Sequence, residues 1–496
     1  MRASGILLPI SSLPSPYGIG CFSIEAYEFI NKIKKAGQKF WQILPLGPIG
    51  YGDSPYQSFS TFAGNPYYIN LDQLISYGWL TAEECNMIDF GNDVRSIDYG
   101  KLYNGRYVLL RKAFERSNII ENEEFLKFQK EEEKWLSDYA LYMALKNENN
   151  GKAWNEWEED LKNRDEKAIA KKKEELKEEI YFYEFMQFEF RRQWLALKQY
   201  ANDNGIKMIG DIPIYVAFDS ADVWANKELF QFDEKGYPFA IAGVPPDGFS
   251  ATGQLWGNPL YKWDYHKKTN YQWWIERLRF CYSMYDVVRI DHFRGFDEYF
   301  SVPYGDKTAV NGHWEKGPGI DLFNKIEEAF PGKEIIAEDL GYVTDTVRQL
   351  VKDTGYPGMK VLEFAFDSRD SGCASDYLPH NYEKNSVVYT GTHDNETVIG
   401  WFNEGLLPEE RQKVRNYLCD QETPDEKIHI PMICMAMRSV SKLCIIPMQD
   451  YLGLGNEARM NMPSTSGSNW KWRILPNEFS DELIDQIYQI TKCYGR

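Results

Sequence analysis

Eight short apolar runs recur along the chain, at residues 5–10 (GILLPI), 40–46 (FWQILPL), 207–216 (KMIGDIPIYV), 286–291 (DVVRID), 334–338 (EIIAE), 360–366 (KVLEFAF), 386–390 (SVVYT) and 443–448 (LCIIPM). Most are nearly continuous in apolar residues, as strands buried on both faces must be. Segments of helical periodicity lie between most of them, for example 271–282 and 321–330. Eight strand–helix units predict an α/β chain folded as a (β/α)8 TIM barrel. An open doubly wound sheet is the rival, but no GxGxxG or phosphate-binding loop follows any of the runs, which weakens it.

The spacing of the runs is uneven. About 160 residues separate the second from the third, too many for one crossover. Residues 51–179 are rich in Trp, Tyr, Glu and Lys with long periodic stretches, and predict a mainly helical insertion after strand 2. Its charge run at 160–179 (DLKNRDEKAIAKKKEELKEE) reads as a solvated helix laced by i,i+4 ion pairs. Residues 217–285, after strand 3, are full of Gly, Pro and aromatic residues. They predict a loop-rich insertion carrying a lid over the cleft. The whole chain, 1–496, is expected to be one catalytic barrel domain with these two insertions.

Composition narrows the partners. The 74 acidic side chains outnumber 56 basic ones, for a net charge of -18. Such a surface repels nucleic acid and anionic lipid but does not penalise a neutral substrate. The 15 Trp, 33 Tyr and 28 Phe suit a cleft that binds flat sugar faces, although most of these rings are expected to fill the core. The eight Cys are scattered without CxxC or Cys/His spacing, the N-terminus lacks a long apolar signal segment, and no stretch approaches a membrane span. The chain reads as a reduced cytoplasmic protein of undetermined oligomeric state.

Four of the candidate strands end in a carboxylate-bearing motif, with Asp211 (GDIP), Asp291 (RIDH), Glu338 (AEDL) and Asp394 (THDN). Barrels of this kind place function at the C-terminal ends of their strands. Packing several carboxylates together is costly, so it implies chemistry that needs them. No HxH, HExxH or Asp-rich calcium loop is present among the six His and the acidic residues, so no metal and no organic cofactor is expected. Glycoside chemistry fits instead. It needs one carboxylate as nucleophile and one protonated carboxylic acid beside the leaving oxygen.

RIDHFRGF, IAEDLG and GTHDN resemble the conserved regions of the α-amylase clan. The longer strings GYGDSPYQSFSTFAGNPYYINLD, GDIPIYVAFDSADVW, FSATGQLWGNPLY and NMPSTSGSNWKWR resemble glycoside hydrolase family 77, the 4-α-glucanotransferases or amylomaltases, over residues 5–472. The resemblance implies roles. Asp291 aligns with the nucleophile, Glu338 with the general acid/base and Asp394 with the third carboxylate. Arg289 would hold the nucleophile ionised, and His292 and His393 would hydrogen-bond the same sugar. Tyr56 and Trp256 match sugar-stacking aromatics, with Asp53, Ser54 and Gln254 as polar neighbours. Asp211, Asp339 and His380 are given structural parts. Gly248 and Ser464 depart from the usual residues of the family, and both bear on acceptor binding and lid shape.

The reaction so implied is a retaining transfer of α-1,4-glucan segments to the 4-hydroxyl of an acceptor glucan, maltooligosaccharide or glucose. Its alternatives are an α-1,4-glucan hydrolase and an inactive glucan-binding protein on the same barrel.

Overall fold

The computed structural model describes residues 2–50, 52–246, 250–341, 343–366, 374–465 and 467–496. Twelve strands are present among them: β1 (Ala3–Leu7), β2 (Phe40–Gln42), β3 (Lys207–Pro213), β4 (Ala240–Val244), β5 (Gln254–Pro259), β6 (Val287–Asp291), β7 (Glu298–Pro303), β8 (His313–Lys316), β9 (Glu334–Ala337), β10 (Gly358–Val361), β11 (Ser386–Tyr389) and β12 (Leu443–Pro447). Eight of these, β1, β2, β3, β6, β9, β10, β11 and β12, close into a barrel, and each pairs in parallel with its neighbours. Each overlaps one of the eight apolar runs. The observed strands are shorter than the runs. The run at 360–366, for example, gives up its strand after Val361 and turns into a 3-10 helix at Glu363–Ala365. Its neighbour β11 ends at Tyr389, the register partner of Val361.

The barrel interior is not uniformly apolar. Asp211 and Arg289 are direct register partners on β3 and β6, so both side chains project to the same side of the barrel wall. They are 1% and 3% exposed. Gln42 on β2 accepts a hydrogen bond from the hydroxyl of Tyr389 on β11 at 2.8 Å. A polar layer therefore lies at the C-terminal end of a barrel whose lower layers are Ile, Val and Met.

Between β2 and β3 the described residues are mostly helical, with helices at Tyr99–Ser117, Glu123–Glu131, Glu133–Glu148 and Glu166–Glu175. The last of these buries no side chain and carries the Lys171–Glu175 pair at 3.6 Å. The following helix, Lys177–Asp203, runs straight through the expected boundary at 179. From Phe182 to Phe190 every residue of it is buried. A stretch buried on every side, with Glu184, Gln187 and Glu189 among its residues, must be covered all round, and this helix packs against both Glu133–Glu148 and β3. No linker separates insertion from barrel at that point.

The stretch 217–285 is more regular than its composition predicts. β4 pairs with β5 and β7, and β7 with β8, in a four-stranded antiparallel sheet of order β5-β4-β7-β8. Its last part is the helix Gln272–Met284, anchored by buried Trp274, Arg277, Leu278, Cys281 and Met284. Gly and aromatic residues suited a loop, but a strand tolerates both where it meets a core on one face and a cleft on the other.

Candidate active site

Parallel strands carry side chains to the same side at every second residue. Arg289 and Asp291 on β6 therefore share a face, and Asp211 on β3 faces them. Arg289 Nη1 donates to both oxygens of Asp211 at 2.7 Å, and Nη2 stands 3.0 Å from Asp291 Oδ1. The Tyr56 hydroxyl donates to Asp211 Oδ2 at 2.8 Å. One guanidinium thus anchors a fully buried carboxylate and steers a second, whose side chain remains 27% exposed.

After Asp291 the chain leaves the strand through His292, which adopts a left-handed backbone (φ 52°, ψ 48°). That turn aims the His292 N–H at Glu338 Oε2, at 2.7 Å, while the Leu340 N–H reaches Glu338 Oε1 at 2.8 Å. Glu338 is 9% exposed. Burial is the main influence on both carboxyls and raises each above its ordinary range, most strongly at Asp291, where the charge of Glu338 adds to the rise. Arg289 opposes the rise at both. Only Asp291 touches it. The crowded pair disfavours two charges at once, and the guanidinium contact favours the charge on Asp291.

The third carboxylate comes from the turn that follows β11. Asp394 Oδ2 stands 3.3 Å from Nε2 of His393, and Oδ1 accepts from the Asn461 amide at 2.6 Å. His393 is buried, and burial lowers its pKa against the pull of Asp394. Its ring stacks on Tyr56 with centroids 5.2 Å apart at 12°, and Trp470 leans on both rings. One face of Tyr56 is therefore occupied by protein rather than open to a sugar.

On the opposite wall, Trp256 of β5 meets the His292 ring edge-on, with centroids 4.7 Å apart at 86°. Its indole N–H donates to Gln254 Oε1 at 3.2 Å, and its carbonyl accepts from Gln57. Burial pushes the His292 pKa down to about 3, so the ring is neutral near pH 7. Its Nε2 is buried without a hydrogen-bond partner among the described residues. Ser54 Oγ accepts from the Tyr56 N–H at 3.3 Å, and Asp53 turns the loop with φ 61°. Burial raises the Asp53 carboxyl, with Lys471 pulling the other way.

Asp339 and His380 stand outside this group. Asp339 accepts from the Met359 N–H at 2.7 Å, and His380 bonds the Tyr417 hydroxyl at 2.8 Å. Ser464 is exposed with φ 65°, the left-handed backbone that glycine adopts without cost. Gly248 lies outside the described residues. Among the described residues no cluster of three or more His, Cys, Asp or Glu could hold a metal ion, and no helix is long and apolar enough to cross a membrane.

Three residues were not singled out from the sequence. Besides its amide bond to Asp394, Asn461 donates its backbone N–H to the His393 carbonyl, and Arg459 donates to the Asp394 carbonyl at 2.8 Å. Trp470 packs on the Tyr56–His393 stack and is tied to the helical insertion by the Tyr99 hydroxyl, which donates to its carbonyl at 2.8 Å. All lie in or near the string NMPSTSGSNWKWR, which carries no visible chemistry of its own.

Comparison with known proteins identifies the family. The family model described as 4-alpha-glucanotransferase (glycoside hydrolase family 77) matches residues 8–477. A 4-alpha-glucanotransferase of Clostridium butyricum is 51% identical, covering 98% of this chain and 99% of its own length. One of Thermus thermophilus is 48% identical, covering 97% and 96%. The solved structure of amylomaltase from Streptococcus agalactiae in complex with acarbose superposes with a TM-score of 0.95 at 43% identity, covering all of both chains.

Proposed function

The chain belongs to glycoside hydrolase family 77, the 4-alpha-glucanotransferases, and from that premise we propose that it moves α-1,4-glucan segments by a double displacement on Asp291 and Glu338. Asp291, held by Arg289, attacks the anomeric carbon. Glu338 gives its proton to the leaving glycosidic oxygen, and a glucosyl-enzyme ester forms on Asp291 as that bond breaks. The released fragment departs. Glu338, now ionised, takes the proton from the 4-hydroxyl of an incoming glucan, maltooligosaccharide or glucose. That oxygen displaces Asp291 and restores the original configuration.

The observation that carries this reading is the asymmetry of the buried pair. Asp291 touches a cation, whereas among the described residues Glu338 is held by the backbone N–H groups of His292 and Leu340. Two carboxyls with environments that differ in this way divide into nucleophile and acid. Asp394, fixed by Asn461 and His393, would accept hydroxyls of the reacting sugar and favour the positive charge that develops on its ring. Trp256 and Tyr56 would seat the sugars, with Gln254, Asp53 and Ser54 orienting them. The insertion 217–285 would carry the lid over the cleft, and the helices after β2 would form the far wall. None of this requires a cofactor.

Transfer rather than hydrolysis depends on excluding water from the glucosyl-enzyme. The test is incubation with maltotriose. A ladder of longer maltooligosaccharides with glucose is the expected product set. Maltose and glucose alone would mean hydrolysis, and unchanged maltotriose would mean an inactive binding protein.

A further inference from the structure

The sheet β5-β4-β7-β8 has two unlike faces. Trp256 packs on the main core beside the cleft, whereas its neighbour Leu255 packs with Ile241, Phe300, Val302 and Ala309 in a small separate cluster on the other face. Register places Ala240 opposite Pro303, and the next pair outward is Phe239 with Tyr304, linked by the Tyr304 N–H to the Phe239 carbonyl at 3.2 Å. The alternation of an antiparallel pair puts these two side chains on the small-cluster face. They are not covered. Phe239 is 63% exposed, Tyr304 47%, the nearby Tyr237 38% and Val310 57%. The Tyr237 and Tyr304 rings stand 6.0 Å apart at 36°. The turn that presents Tyr237 is fixed, because Asp233 Oδ1 accepts its N–H at 2.9 Å and the Asp233 N–H binds its carbonyl at 2.8 Å.

We propose that Tyr237, Phe239 and Tyr304 form an accessory docking surface for α-1,4-glucan chains, separate from the carboxylate cleft. The proposal rests on the action on α-1,4-glucans proposed above. Three observations select this occupant. The exposed apolar area of the patch is roughly 300–400 Å², given about 200 Å² for each aromatic side chain. That is less than half of the about 800 Å² per partner that a stable protein interface buries, but comparable to a few sugar rings. The exposed charges beside it, Glu234, Lys235 and Lys307, are of both signs. They suit a neutral, hydroxyl-bearing ligand better than a charged one. The other face of the same sheet carries Trp256 beside His292, so a polymer held at the patch stays close to the cleft, and its effective concentration there rises.

The test compares long amylose with maltotriose, using wild type and the triple variant Tyr237→Ser, Phe239→Ser, Tyr304→Ser. The expected result is a KM for amylose raised roughly five- to tenfold and loss of retardation in amylose-containing native gels. Turnover of maltotriose should stay within about twofold, since none of these rings touches the carboxylates. Unchanged amylose KM and gel mobility would overturn the proposal. So would a wild type that sediments as a dimer and a variant that sediments as a monomer with amylose affinity intact, since the patch would then join two copies. Should the triple variant lose both substrates together, the single Phe239→Ser variant repeats the comparison at the most exposed ring, and full retention of amylose binding by it also overturns the idea. A wild type that is retarded by amylose but leaves maltotriose untouched would instead refute the proposed reaction.

Discussion

Arg289 is shared by two carboxylates of unequal burial: it grips both oxygens of Asp211 at 2.7 Å and reaches Asp291 at 3.0 Å. The guanidinium and Asp211 are essentially sealed from water. Such a pair adds little net stability, but breaking it leaves an uncompensated buried charge. Asp211→Ala is therefore expected to destabilise the protein by about 3–5 kcal/mol, seen as a fall in the denaturation midpoint. It should also cut turnover, because Arg289 loses its anchor. A midpoint within experimental error of wild type would contradict this account of the barrel's polar layer.

Asp291 behaves oppositely. Its carboxyl is raised by burial and by the neighbouring carboxylates. A raised carboxyl favours the fold while protonated, below its unfolded pKa of about 4, and loses that contribution as pH rises through the folded value. Asp291→Asn should thus melt at a temperature equal to or above wild type at neutral pH, and the gain should close below about pH 4. At the same time turnover should drop by at least about 10³-fold. A variant that is both less stable and still active would remove Asp291 from the mechanism.

The acid limb of the kcat/KM profile should follow Asp291, since the nucleophile must be ionised in the free enzyme. Arg289 lowers that pKa, so Arg289→Met is expected to move the acid limb to higher pH as well as lowering turnover. A depressed profile of unchanged shape would assign Arg289 a purely structural part.

Asn461 presents a carboxylate with a neutral amide donor at 2.6 Å. Hydrogen bonds to charged groups contribute about 1.5–3 kcal/mol, so Asn461→Leu should lower kcat by roughly 10- to 100-fold. Binding of maltooligosaccharide to remote subsites should be little affected. Steady-state kinetics with a long acceptor checks this, and a change confined to KM would contradict a part in fixing Asp394.

Partition between transfer and hydrolysis depends on how well the acceptor is held against water. Trp256→Ala and Tyr56→Ala are both expected to lower turnover and to raise the reducing ends formed per bond broken. Tyr56→Phe separates two effects, because it keeps the ring on His393 but removes the hydrogen bond to Asp211. If both alanine variants keep the wild-type ratio at saturating acceptor, these rings do not exclude water.

The barrel was legible because its strands are buried on both faces and so appear as unbroken apolar runs. The carboxylates were legible because Asp291 and Glu338 close such runs, while Asp211 lies within one and Asp394 follows another by four residues. The sheet around β4 and β5 was not, since its strands alternate Gly, Ala and Trp between a core and a cleft and match no simple period. The boundary at 179 was misplaced for a related reason. Helix Lys177–Asp203 serves both the insertion and the barrel, so composition does not change where function does. Asn461 could not have been found from its own neighbourhood, because its bond to Asp394 spans 67 residues and only the folded barrel brings β11 and the segment after β12 together.

The central claim is a covalent glucosyl-enzyme on Asp291 whose release needs Glu338. A substrate with a leaving group that requires no proton, α-maltosyl fluoride, bypasses the acid step, and Glu338→Gln removes the base that would activate an acceptor. Intact-mass measurement of Glu338→Gln after mixing with α-maltosyl fluoride should show one added maltosyl unit, and peptide mapping should place it on Asp291. An unmodified protein that still consumes the fluoride, or an adduct on any other residue, would contradict the account.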